Sequence, residues 1–195
     1  MRFGIQSQNN DFYDLFIQFG PYPFSLLFVT LIEWDEDVLL KLRVIVVDKT
    51  RSPFLKSGES FYRDRIDNYA RMEWIEVKPA MIKKGREPKE VLDMEAQAIT
   101  KRLTPGDFLV ALDRTGHQYD SVGLADWLAK LSVDQTGWIN FVIGGPLGLS
   151  KDLLKKAQKV LALSRLTLTH EMCRLLLLEQ IYRAFTIIKG EKYHK

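Results

Sequence analysis

Three observations predict an α/β fold built on a parallel-dominated sheet. From residue 41 onward, short apolar or β-branched runs alternate with amphipathic stretches five times. Two of the runs, Leu42–Val47 (LRVIVV) and Ile139–Ile143 (INFVI), are mostly apolar instead of alternating, as expected of strands covered on both faces. Turn residues sit where such strands would end: Asp113 to Gly116 after one, and Gly144, Gly145, Pro146, Leu147 and Gly148 after another. At 195 residues the chain suits one good-sized domain better than two. Its 46% hydrophobic and 27% charged residues exclude wholesale disorder, a collagen-like fibre and a polytopic membrane protein.

Taken in order, Leu42–Val47 is the first strand. Ser57–Ala70 follows as a helix with Phe61, Tyr62, Ile66 and Tyr69 on one stripe. Met72–Val77 alternates as a second strand. A loop containing Lys83, Lys84, Gly85 and Arg86 leads to Pro88, which can open a helix carrying Val91, Leu92, Glu95, Ala98 and Ile99. Phe108–Leu112 is a third strand ending at Asp113. Ser121 is placed to cap a helix through Leu131. Ile139–Ile143 is a fourth strand, and Ser150 caps a helix through Leu161, with Asp152 in its first turn. Leu163–Leu168 reads as a short fifth strand. Thr169 caps a long final helix, His170–Lys189, stopped by Gly190.

The formal charge of +3 is unevenly spread. Residues 1–40 carry one basic and six acidic side chains, whereas residues 41–195 carry 27 basic and 19 acidic ones. An excess of that sign suits a polyanion such as nucleic acid, and a solvated lysine-rich surface accounts for it too. A single cysteine, Cys173, excludes an intramolecular disulfide framework and a zinc site of paired thiolates, and points to an intracellular protein, for which a cytoplasmic location is expected. The apolar run from Phe19 to Ile32 is short for a membrane span and interrupted by Pro21 and Pro23. Acidic residues precede it, unlike a secretory signal. Residues 1–40 are therefore expected to be an extension, poorly ordered or loosely docked, outside a domain spanning 41–195.

Ligands of open α/β sheets bind at the carboxyl ends of the strands. That places two loops, Leu112–Gly116 (LDRTG) and Gly144–Ser150 (GGPLGLS), at the expected site. Neither a dinucleotide fingerprint nor a P-loop is present, and His117, His170 and His194 lack metal-ligand spacing. Cys173 lies in an apolar helix and reads as inert core. The consecutive Leu175, Leu176, Leu177 and Leu178 cover a whole helical circumference, so the last helix has apolar surface for the sheet and for a second subunit; a central core helix of a monomer is the alternative.

The run FVIGGPLGLS, followed by LALSRLTLTHEMCRLLLLEQIYRAFTIIKGEKYHK, closely resembles the RlmH-type methyltransferases of the SPOUT superfamily. The resemblance extends from Leu40 to Lys195. It implies a C-terminal trefoil knot, a homodimer, and S-adenosylmethionine-dependent methylation of N3 of a pseudouridine in large-subunit ribosomal RNA, within an assembled ribosome or subunit. Carried onto this chain, the cofactor pocket comprises Leu112, Gly144, Leu163, Ser164, Arg165, Leu166, Thr167 and Leu168. Candidates on the RNA side are His170, Arg174, Arg183, Tyr193, His194 and Lys195: an aromatic and cationic tail can stack on an exposed base and contact phosphate. Structural ion pairs are the alternative for Arg174 and Arg183, and lining the pocket or supplementing Thr169 at the helix start are the alternatives for His170. His194 is the candidate proton acceptor, with bulk water the alternative.

The chain departs from the family pattern at two positions. Leu147 stands where glutamate is usual, and Lys195 where arginine is common. The first leaves open a different RNA target, or a non-catalytic ribosome-binding assembly factor. The second exchanges a planar fork for a point charge.

Overall fold

The computed structural model of the chain describes residues 40–81 and 87–193. The expected N-terminal extension (apart from Leu40), Lys83 to Arg86 of the lysine-rich loop, His194 and Lys195 lie outside the described residues.

Ten elements follow in the order β1 (Leu40–Val47), α1 (Pro53–Ile66), β2 (Ala70–Val77), α2 (Pro88–Thr100), β3 (Phe108–His117), α3 (Ser121–Asp134), β4 (Ile139–Ile143), α4 (Lys151–Lys156), β5 (Lys159–Leu161) and α5 (His170–Ile188). The five strands form one sheet in the order β2-β1-β4-β3-β5, every adjacent pair parallel. The parallel sheet expected from the apolar strand runs is thus present. β1 is buried from Leu42 to Val47 and β4 along its whole length.

Side chains of a strand alternate between faces. On one face Ile45, Val47, Ala111 and Val142 pack with Ile99 of α2 and Leu153 of α4 in a single apolar cluster. The opposite face carries α5, flanked by α1 and α3. Arg43, within an otherwise apolar strand, is buried because its charge is met. Nε donates to Glu73 Oε2 at 2.9 Å, Nη1 lies 3.4 Å from Asp107 Oδ2 and 3.3 Å from Asn140 Oδ1, and the guanidinium stacks 4.4 Å from the centre of the Trp138 ring. This cluster closes the amino-terminal edge of the sheet, leaving the carboxyl edge for a site.

Several boundaries differ from the sequence expectation. α1 begins at Pro53, not Ser57, because Ser52 caps it by accepting from Leu55 N and proline at the first helical position supplies the required φ. Its expected stripe is only partly a core face: Ile66 is fully buried but Phe61 is 47% exposed, covered by the Arg65 guanidinium. α3 is capped by Asp120, whose Oδ1 accepts from Gly123 N, and not by Ser121. β3 runs on past Asp113 to His117: an irregularity there lets Leu112 and His117 both oppose Leu161.

The largest correction concerns residues 157–168. The helix after Ser150 stops at Lys156, and the fifth strand is Lys159–Leu161, not Leu163–Leu168. Gln158 Oε1 accepts from Leu109 N, which anchors the chain beside β3. The Leu163–Leu168 segment makes no ladder. Ser164 Oγ instead accepts from Leu166 N in a local turn, leaving Leu166 74% exposed. The last helix is as expected: Thr169 Oγ1 accepts from Met172 N, and Gly190 takes the left-handed φ of 67° just beyond the end.

Candidate active site

β4 runs directly into Gly144, and the next four residues fold back in a tight turn. Gly148 N donates to Gly145 O at 3.0 Å with Pro146 and Leu147 at the corner. Two glycines are required by geometry. Gly148 has φ 83°, and a Cβ on Gly144 would overlap the Gly148 carbonyl. Behind the turn, Gly145 packs against Val47 and the Glu95 carboxyl group.

The turn forms one wall of a cavity of about 620 Å3 at the carboxyl edge of the sheet. Leu112, Asp113 and Arg114 come from the irregular end of β3. Leu163, Ser164, Leu166, Thr167 and Leu168 come from the segment after β5, and Thr169, His170 and Cys173 from the start of α5. The volume lies within the range of about 300–1,000 Å3 usual for small-molecule sites. Leucines and polar residues (Asp113, Arg114, Ser164, Thr167, Thr169 and His170) both line it, a surface suited to a planar ring with hydrogen-bonding edges. Sequence segments as much as 61 positions apart (Leu112 to Cys173) meet here.

All but one of the expected pocket residues line this cavity. The exception is Arg165, whose Nε donates to Gln118 Oε1 at 2.9 Å. Asp113, Arg114, Thr169 and Cys173 join the lining beyond the expected residues, Asp113 and Arg114 from the LDRTG turn that the sequence places at the right end of a strand. Asp113 Oδ1 accepts from both the backbone N and the hydroxyl of Thr115. Burial pushes the Cys173 thiol up to about 11, which keeps it protonated and unreactive.

The candidates for RNA contact are not brought to one place. His170 lines the cavity; burial, aided by the nearby Arg174 charge, holds its imidazole below the usual range and so neutral. Arg174 is not a phosphate contact. It is fully buried, with Nη2 donating to Val47 O at 2.7 Å and Nη1 to Thr50 Oγ1 at 2.8 Å, while Thr50 Oγ1 in turn donates to Glu59 Oε1. The sequence offers it equally as a phosphate contact or as a structural cation; packing against Val47 and Thr50 decides for the second. Arg183 is engaged with Glu179 at 2.6 Å and lies 4.9 Å from the centre of the Tyr193 ring. Tyr193 also contacts Tyr182 edge-on, and burial raises its phenol to about 12.

A family model described as "Predicted SPOUT methyltransferase" matches residues 40–194. The chain belongs to the SPOUT methyltransferase family. Relatives named "Ribosomal RNA large subunit methyltransferase H" agree. That of Trichlorobacter lovleyi is 42% identical over 158 residues, covering 80% of this chain and 99% of its own length. That of Carboxydothermus hydrogenoformans is 37% identical over 159 residues, covering 80% and 100%. The SPOUT match spans the part of the chain that holds the sheet and cavity.

Proposed function

We propose that this protein is an S-adenosylmethionine-dependent methyltransferase acting on large-subunit ribosomal RNA, with N3 of a pseudouridine as the acceptor. One observation carries the reading. In a chain of the SPOUT family, the Gly144–Gly148 turn, residues 163–169 and the first turn of the last helix converge on a single cavity of methyl-donor size. The cavity suits the donor on its own chemistry. Gly144 permits the tight turn that walls the cavity, Leu163, Leu166 and Leu168 offer faces for an adenine, and Ser164, Thr167 and Thr169 beside them bring polar groups to the lining.

When bound, the donor supplies an electrophilic methyl carbon on a sulfonium sulfur. The protein's own part is positional. It must exclude water from the cavity, fix the acceptor nitrogen in line, and accept or pass on the N3 proton. Neutral His170 on the wall can accept a hydrogen bond from the base, and His194 is proposed as the proton acceptor. The trefoil knot belongs to the same reading, supported by the approach of the 144–148 turn and the 163–169 segment around one cavity. So does a homodimer: opposite the buried stripe of α5, Met172 is 42% exposed, and Leu176 and Ile187 are only half-buried. Among the described residues no helix is long and apolar enough to cross a membrane; a cytoplasmic site of action follows from the ribosomal substrate.

Nucleoside mapping by mass spectrometry, with and without the gene, tests the function. Loss of N3-methylpseudouridine from large-subunit RNA on deletion is expected, and its survival refutes the assignment. A methylated nucleoside of another kind that disappears instead would establish a different RNA target for the same site, which the leucine at position 147 makes worth examining. Calorimetry with S-adenosylmethionine tests the cavity, and failure to bind would favour a non-catalytic assembly factor.

A further inference from the structure

The turn between β1 and α1, residues 48–52, is an exposed loop with an unusual amount of buried support. α5 reaches it with two side chains. The buried Arg174 guanidinium holds Val47 O and Thr50 Oγ1, and both carboxylate oxygens of Glu171 accept from the loop backbone, Oε1 from Arg51 N at 3.1 Å and Oε2 from Ser52 N at 3.2 Å. Thr50 is tied further to buried Glu59. Asp48 sits at φ 68°, a conformation that a residue other than glycine adopts at a cost, and its carboxylate accepts from Lys49 N and pairs with the Arg51 guanidinium. Burying an arginine is expensive unless its hydrogen bonds are met, and here they fix the loop backbone and Thr50.

That loop displays two cations to solvent, Lys49 and Arg51, the latter with its side chain 75% exposed. It lies beside the cavity. Val47 packs against Gly145 of the glycine turn, and the α5 turn that holds the loop also contributes His170 and Cys173 to the cavity wall.

We infer that Lys49 and Arg51 form a preorganised phosphate-binding edge for the RNA strand that delivers its base to the cavity, with Arg174, Thr50 and Glu171 as positioning residues. The inference rests on the proposed RNA substrate. Rigid backbone beneath two exposed cations lowers the ordering cost of a phosphate contact, and phosphate contacts set the register in which a base is presented. Arg174 therefore serves RNA binding through the loop and not by touching phosphate.

The test uses the full chain and large ribosomal subunits from a strain lacking the gene. K49A/R51A is expected to bind the subunits at least about tenfold more weakly at about 0.15 M salt, with the slope of log affinity against log salt reduced by about 0.7–0.9 per lost contact. Its affinity for S-adenosylmethionine should stay unchanged. K41A/K130A removes the same charge from exposed positions on β1 and α3 away from the cavity edge, and should bind like the unaltered protein. Thr50→Val, which removes the hydroxyl held by Arg174, should weaken RNA binding in the unaltered chain and add nothing in the K49A/R51A background. Unchanged affinity and slope in K49A/R51A, an equal loss in K41A/K130A, or lost cofactor affinity in K49A/R51A would each overturn the inference while leaving the methyltransferase reading in place. Failure of the unaltered protein to methylate the subunits overturns that reading itself, and the inference with it.

Discussion

At the scale of single residues, Gly144 and His170 make the sharpest commitments. Any side chain at Gly144 must displace the Gly148 carbonyl and with it the turn that walls the cavity. Gly144→Ala is therefore expected to cost about 1–3 kcal/mol in stability and to abolish S-adenosylmethionine binding as read by calorimetry; wild-type affinity would show that the turn does not hold the donor. His170 is held neutral by burial and by Arg174, so the unfolded chain takes up the proton first. The stability that the neutral imidazole contributes is whole above the ordinary value of about 6.5 and is lost as pH falls from there through the lower folded value. His170→Gln should flatten that part of a denaturation-versus-pH series. Glu95 has the opposite sign. Burial raises its carboxyl above the ordinary range, Oε1 accepts from Ala80 N, and Oε2 is buried without a partner among the described residues. Ionising it on the way to neutral pH therefore costs stability, and Glu95→Gln should raise the midpoint of unfolding at pH 7 relative to the parent chain.

At the scale of elements, the last helix connects the interior to the site. Its first turn is capped by Thr169, lines the cavity with His170 and Cys173, and holds the β1–α1 loop with Glu171 and Arg174. Thr169→Ala should cost about 1 kcal/mol in chemical denaturation. Arg174→Met should cost more, about 1–3 kcal/mol for each buried acceptor left unpaired, because it strips Val47 O and Thr50 Oγ1 of their donor. Most elements are legible in the sequence: the apolar run of β4, proline at the start of α2, and the Thr169 to Gly190 frame of α5 are local signals. The misplaced fifth strand has a physical explanation. Leu163–Leu168 carries strand-forming residues, but strand identity needs a neighbour, and β3 offers its pairing groups to Lys159–Leu161. Its leucines were freed to line a cavity instead.

At the scale of the whole molecule, polarity along the sheet separates structure from function. The Arg43 cluster closes the amino edge, and the glycine turn, the 163–169 segment and the first turn of α5 meet at the carboxyl edge. The apolar outer stripe of α5 bears on assembly. Sedimentation should show a dimer for the intact chain, and Leu176→Lys should shift it toward monomer without loss of helix content; a monomeric parent chain would refute the proposed homodimer.

The sequence alone determined what depends on neighbours along the chain: the alternation of strands and helices, the caps at Ser150 and Thr169, the glycine turn, and the family resemblance in the last fifty residues. Tertiary structure decided what depends on distant partners. It turned Arg174 inward onto Val47 and Thr50, directed Arg165 toward Gln118, and made a cavity wall of a segment that reads as a strand. Local backbone preference is written in consecutive residues, whereas the direction of a charged side chain is settled by whichever distant acceptors compensate its loss of water.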